Sequence, residues 1–387
     1  MATDASISEL LTTLYTAKAI STVAATSSPI LGLFGFNGND PKSDGKNLLR
    51  VGKRKSGWDI FDDTRTAASF RAPAAPAATV ARNPVGRVEI VFPRMAEKLP
   101  LLHDDLNNFR KIGGGYSDYD PRGIDYITKQ QRYLGQRAAN FRLLMTAGMM
   151  RGNLYGHQVG DTTYYDFDST AAINTISWRI PTGNTLQLNM TGDGNIIDAS
   201  WATVASTDIP RHLSAINAAF EYTSGSRLDV AVINSKTWDL IKTNTLVQRQ
   251  AGSSNRVFKV DKRDVGMGFN GKPLTNRVGE IDAANFVEFI ITDAVMDVGP
   301  PHTLRREKLI PDNYAWFGPQ PDKDLMEMLI GSEVVSEGHG KAPSEKYGTY
   351  AYSKENDDPA VVELYSGDNA CPALYVPAAT AWAQVVF

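Results

Sequence analysis

The segment GMGFNG, Gly266 to Gly271, has the G-x-G-x-x-G spacing that in dinucleotide-binding proteins joins a strand to a helix whose N-terminus takes a pyrophosphate. Its surroundings do not suit that chemistry. The charged run KVDKRD lies just before it and Pro273 follows closely, so a loop is expected there. No Walker-type phosphate loop, G-x-S-x-G elbow or H-E-x-x-H helix occurs. His103, His157, His212, His302 and His339 are far apart and lack metal-ligand spacing, which predicts packing or surface roles. Cys371, in NACPALY, has no adjacent His or basic residue to activate it and reads as a buried, inert thiol. Asp104 with Asp105 and Asp357 with Asp358 are adjacent, and neighbouring strand residues point to opposite faces, so they read as cap and turn residues. No enzyme, cofactor or metal is expected, unless residues distant in sequence converge in the fold.

The elements around these residues are those of a chain that buries substantial cores. With 387 residues, of which 42% are hydrophobic and 21% charged, two or three domains are expected. A formal net charge of −3 gives the whole chain no electrostatic attraction for nucleic acid or anionic lipid, so any contact with DNA must be local. The single cysteine rules out an internal disulfide and points to a reducing compartment. Asp4 and Glu9 occupy positions that a secretory segment leaves uncharged, and no run of 18 apolar residues occurs. A soluble, cytoplasmic protein is expected.

Along the chain, Ser6 to Glu9 fits a capping box, and Ile7, Leu10, Leu11, Leu14 and Ala17 then follow helical spacing. The following stretch, SSPILGLFGFNGNDPKSDGKNLLRVGKRKSGWDIFDD, is too poor in periodicity to make its own core and reads as an extended arm. It sets a basic block, Lys42, Lys46, Arg50, Lys53, Arg54 and Lys55, beside the acids Asp59, Asp62 and Asp63. Two strand-like runs, Thr64 to Arg71 and Val85 to Phe92, flank an Ala/Pro-rich tip, and Val88, Ile90 and Phe92 alternate as in a ribbon with one covered face. A lone two-stranded ribbon is marginal in water, so it must rest on something else.

A long helix is predicted over Ile124 to Asn153, after Asp118, Asp120 and Pro121. Ile124, Ile127, Gln131, Leu134, Ala138, Phe141, Met145 and Gly148 form one narrow stripe, leaving Lys129, Arg132, Arg137, Arg142 and Arg151 mostly on other sides. QVGDTTYYDFD and NTLQLNMTG then read as strands. From Asp208 the pattern is mixed: a helix on Ile209, Leu213, Ile216 and Phe220, a buried strand RLDVAVIN, and a Ser-capped helix in SKTWDLIKTNTLVQRQ. NFVEFIITDAVMDVG, DNYAWFGP, AVVELYSG and AWAQVVF read as further strands.

In this order of elements, with SSPILGLFGF, SFRAPAAPAATVARNPVGRVE, RGIDYITKQQRYLGQRAANFRLLMTAGMMRGN and CPALYVPAATAWAQVV, the sequence resembles the major capsid proteins of tailed bacteriophages. It is most similar to the lambda protein E-like family, whose fold is HK97-like; the block Lys53 to Lys55 and the segment Gly338 to Asp358 depart from the pattern. The resemblance implies an α+β fold with an N-terminal arm (1–56), an extended-loop region (57–117, its hairpin Thr64 to Met95), a peripheral domain with a spine helix (118–207), an axial domain (208–319) and a C-terminal return to the peripheral domain (320–387). It implies self-assembly into hexamers and pentamers of an icosahedral shell, made in the host cytoplasm and found in the virion. Scaffolding protein, portal, a decoration protein and packaged double-stranded DNA are the implied partners. Lys53, Arg54, Asp62, Asp63, Arg71, Arg82, Arg87, Glu89, Arg132, Arg137 and Arg142 are the charged residues expected at contacts between subunits. An encapsulin-like compartment is the same-fold alternative, and a soluble α/β enzyme or ligand-binding protein the alternative of a different class.

Overall fold

The structure, a computed structural model, describes residues 29–38, 47–53, 55–60, 86–102, 121–160, 162–248, 259–267, 273–281, 287–300, 304–336, 343–357 and 360–387. The chain is α+β. Its helices include α1 (Pro29–Phe34), α2 (Pro121–Arg151), α3 (Ile209–Thr223) and α4 (Ser235–Thr243), set among many short strands.

The 31 residues of α2 make a rod of about 46 Å at ~1.5 Å per residue. Of the predicted stripe, Ile127, Gln131, Leu134, Ala138, Met145 and Gly148 are buried and Phe141 is half-buried. The stripe describes only the first half of the rod. Asp125, Lys129, Arg132, Tyr133, Gln136, Arg137 and Asn140 are exposed there, whereas every residue from Met145 to Met150 is buried. The second half is enclosed because strands Asn153–Val159, Ala360–Asp368 and Ala370–Leu374 pack around it. A Cβ on Gly148 would lie 3.0 Å from Leu154 Cβ and 3.1 Å from the Trp178 ring, so helix backbone and indole are in direct contact. Gly148→Val is expected to lower the unfolding free energy by about 1–3 kcal/mol, read by urea denaturation of the purified chain. An unchanged midpoint would show that Trp178 can move aside.

A seven-stranded sheet divides the molecule. Its order is Lys259–Met267, Pro273–Ile281, Val287–Ile291, Val230–Ile233, Tyr314–Gly318, Ala381–Gln384 and Thr185–Leu186. Alternate residues of its central strands belong to different cores, as the two-residue period of a strand requires. Val230, Val232, Ile290, Trp316 and Trp382 join a cluster with α1 and α2. Ala231, Ile233, Phe289, Ile291, Ala315, Phe317, Ala381 and Ala383 join a second cluster with α3 and α4. Asp208 caps α3, accepting from Arg211 N, and Gly225 follows the helix at φ +70°. The cap of α4 is Asn234, whose side chain accepts from Thr237 N, and not the predicted Ser235.

Two stretches of the chain contribute to the clusters across the expected boundaries. Leu188, Ile197 and Trp201 lie before residue 208 yet belong to the second cluster. Residues 320–387, expected to return to the peripheral domain, divide: Met326–Ile330 and Ala370–Leu374 pair beside α2, while Ala381–Gln384 is a strand of the seven-stranded sheet. NTLQLNMTG is not a strand beyond Thr185–Leu186, because Leu186 and Leu188 have left-handed φ values of 57° and 58°. KVDKRD is part of strand Lys259–Met267, paired antiparallel with Pro273–Ile281, so the first two residues of the expected loop, Gly266 and Met267, lie in that strand, and no helix opens there among the described residues. Residues 268–271 lie outside the description, as does the expected helix at Ile7 to Ala17.

The part of the expected arm around α1 is internal. Ile30, Leu31, Phe34 and Phe36 are at most 1% exposed, and Phe34 meets Trp316 edge-on at 5.4 Å. Leu48–Arg50 pairs in parallel with Met326–Ile330. SSPILGLFGF lacks a periodicity of its own because it supplies only one wall of a core built elsewhere.

Candidate assembly surfaces

The ribbon is built from Lys55–Ile60 and Gly86–Val91, antiparallel, with Trp58 opposite Val88 and Ile60 opposite Gly86. The second run falls where the sequence places it, and its partner strand is Lys55–Ile60; Thr64 to Arg71 lies outside the description. The alternation of Val88, Ile90 and Phe92 does mark the covered face: they are 8%, 9% and 4% exposed and join Trp58 in the first cluster. The stem of the ribbon therefore rests on its own chain. Its other face is open, with Val91 half exposed and the pair Arg87–Glu89, 3.6 Å apart, out in solvent. A pair this exposed contributes little to the stability of the chain. Lys53 is exposed beside the stem; Arg54, Asp62, Asp63, Arg71 and Arg82 lie outside the description.

The basic sides of α2 carry less free charge than the sequence suggests. Arg142 is fully buried: its Nε donates to Asp368 Oδ2 at 2.6 Å, Nη2 to Asp368 Oδ1 at 3.3 Å, and Nη1 to the carbonyls of Gly38 (2.6 Å) and Phe36 (3.3 Å). Thr349 Oγ1 donates to the same carboxylate at 3.0 Å. Arg142 is thus an internal clamp joining α2, the segment after α1 and strand Ala360–Asp368, which corrects its assignment to a subunit contact. Its spacing carried the signal: Ala138, Arg142, Met145 and Met149 continue the buried row by steps of four, three and four.

Arg137 grips the Glu97 carboxylate with Nε and Nη2, and that bond chiefly raises its pKa. Lys129 and Arg132 remain exposed. Arg151 closes the helix with only 13% of its side chain exposed, against the Phe167 ring.

Elsewhere the polar groups hold structure together. Trp201 Nε1 donates to His212 Nδ1 at 3.1 Å, so His212 Nε2 carries the proton that meets Asp198 Oδ1 at 2.7 Å. Arg211 chiefly, with His212, holds the Asp198 carboxyl below the usual range. His157 Nε2 lies 2.8 Å from Asp166 Oδ1, and Arg305 reaches Asp166 and Asp168 at 3.0 and 3.3 Å. Cys371 is fully buried, and burial pushes its thiol well up, as expected of an inert group. Asp357 ends a strand opposite Ala360. His103, His302, His339, Asp104, Asp105 and Asp358 lie outside the description. Among the described residues no group of three His, Cys, Asp or Glu could hold a metal ion, and no helix is long and apolar enough to cross a membrane.

Neither a protein-family model nor a curated protein sequence matches the chain. Solved structures do. A prophage capsid protein from Escherichia coli CFT073 is 12% identical, with 78% of this chain and 79% of that one covered at a TM-score of 0.47. A phage-related protein from Bordetella bronchiseptica RB50 is 10% identical over 95% of this chain and 96% of that one, at a TM-score of 0.43. The encapsulin complex of Synechococcus elongatus is 8% identical over 88% and 85%, at 0.41. Phage capsids and related shells are among the solved structures that this chain is similar to.

Proposed function

We propose that the chain is the major capsid protein of a tailed double-stranded DNA bacteriophage, assembling into hexamers and pentamers of an icosahedral shell. The observation that carries this reading is the ribbon. Ile60 and Gly86 are register partners at its end, where a two-residue turn would join the strands, yet about 25 residues, 61–85, lie between them. A stem fixed on its own core and carrying so long an excursion is suited to reach across a neighbouring copy. The cluster around α2 is the peripheral domain on this reading, and the cluster around α3 and α4 is the axial domain.

Assembly follows from many weak contacts. Each is worth ~4 kcal/mol, a millimolar affinity, so that wrong contacts dissociate before they are trapped. Open faces such as that of Arg87, Glu89 and Val91 set register and exclude wrong neighbours more than they add affinity. Lys129 and Arg132, on the exposed half of α2, meet acidic surfaces of neighbours or packaged DNA. Scaffolding protein, portal and a decoration protein are the further partners, and the host cytoplasm is the place of assembly. Negative-stain electron microscopy of the purified protein tests this: closed shells or pentamer and hexamer rings are expected. A stable monomer at high concentration would overturn it, and shells holding protein cargo in place of nucleic acid would favour an encapsulin-like compartment.

A further inference from the structure

At the C-terminal end of α2 a cavity of about 270 Å³ opens between Arg151, Tyr155, Phe167, Tyr314 and Trp382. Tyr314 and Trp382 stack at 5.3 Å to form one wall, and Phe167 lies flat under the guanidinium at 3.6 Å. The charge in this wall is poorly compensated. Arg151 Nη2 donates to the carbonyls of Lys308 (2.9 Å) and Leu309 (3.2 Å), and its Nε is buried without a hydrogen-bond partner. The carboxylate that it meets among the described residues, Glu307 at 3.5 Å, also lies 3.9 Å from Arg305. Burial accordingly lowers the Arg151 pKa to about 10 against the opposing pull of Glu307. Arginine in an aromatic-walled site takes a carboxylate through its planar donors while its faces stack.

We propose that this cavity receives an aspartate flanked by aromatic side chains from a second copy of the chain, and that residues 116–120, Tyr-Ser-Asp-Tyr-Asp, supply it. The sequence matches the wall: two carboxylates for the guanidinium, and two tyrosines for the aromatic faces. Geometry excludes the chain's own segment. Residue 120 adjoins the start of α2, about 46 Å from Arg151 along the helix, and five extended residues span at most ~18 Å. The contact would therefore run head to tail, from the entry of one spine helix to the exit of another, and it rests on the shell reading above.

The test uses a labelled peptide of residues 114–122 and the full-length chain held unassembled, with binding read by fluorescence anisotropy. Saturable binding is expected, weakened at least tenfold by Asp118→Asn with Asp120→Asn in the peptide, and at least tenfold by Arg151→Lys in the protein. Benzoate, as a bare aromatic carboxylate, should compete. No saturable binding, or equal binding of the Asn peptide, overturns the proposal. Saturable benzoate binding in a protein that fails to bind the peptide overturns the second copy as occupant. The peptide comparison needs no altered protein, so it stands even if Arg151→Lys fails to fold. Shells seen by microscopy alongside a failed peptide would sink this contact and leave the capsid reading intact.

Discussion

Replacing Arg142 with Met is expected to lower the unfolding free energy of the unassembled chain by about 3–5 kcal/mol, because removing one partner of a buried ion pair strands the other. Asp368, fully buried, would keep only Thr349 among the hydrogen bonds described above, and the carbonyls of Phe36 and Gly38 would lose their shared donor. The double variant Arg142→Met with Asp368→Leu removes both charges and should recover much of the loss. Urea denaturation supplies the free energies. The emission of Trp316, which touches Phe34, should report loosening of α1 before the global transition. A loss below about 1 kcal/mol for the single variant would show that water reaches the pair, and the clamp would then be no clamp.

The second large effect concerns assembly and not folding. Joining Ile60 to Gly86 through Asn-Gly, with residues 61–85 removed, closes the ribbon with a turn that suits its register. Trp58, Val88 and Ile90 keep their burial, so the unfolding free energy should change by no more than about 0.5 kcal/mol. Shell formation should fail: loss of one contact of ~4 kcal/mol raises the concentration needed for assembly roughly a thousandfold. Sedimentation of the variant against the intact chain checks both parts. Particles forming at the usual concentration would remove the clasp from the mechanism. A chain that no longer folds would make residues 61–85 part of the subunit's own core.

What the sequence made legible follows the range of the interactions involved. The stripe of α2, the run Ile209–Phe220 and the strand Val230–Ile233 could be read because their burial follows a local period. The clamp was legible only in part: helical spacing places Arg142 in the buried row, but its partner Asp368 is 226 residues away and nothing local points to it. The ribbon was half legible: alternation marks which face of Val88 and Ile90 is covered, but nothing local says that Lys55–Ile60 is the partner. NTLQLNMTG failed for another reason. Leu186 and Leu188 alternate as strand residues do, but both have left-handed backbone, which the alternation of leucines does not signal. The arm was legible as a stretch too weakly periodic to make its own core, but not its place: Phe34 and Phe36 complete a core whose other walls come from α2 and Trp316.

The wall of strands between the two cores has a consequence for how the subunit can deform. Val232 and Ile233 are neighbours in the chain, yet their side chains answer to separate compartments. Since both compartments hang on one continuous ladder, neither can melt alone without exposing a face of the other's scaffold. A chain built this way tilts or bends as a single plate; on the shell reading proposed above, a change of curvature between copies would then fall on segments outside the two cores.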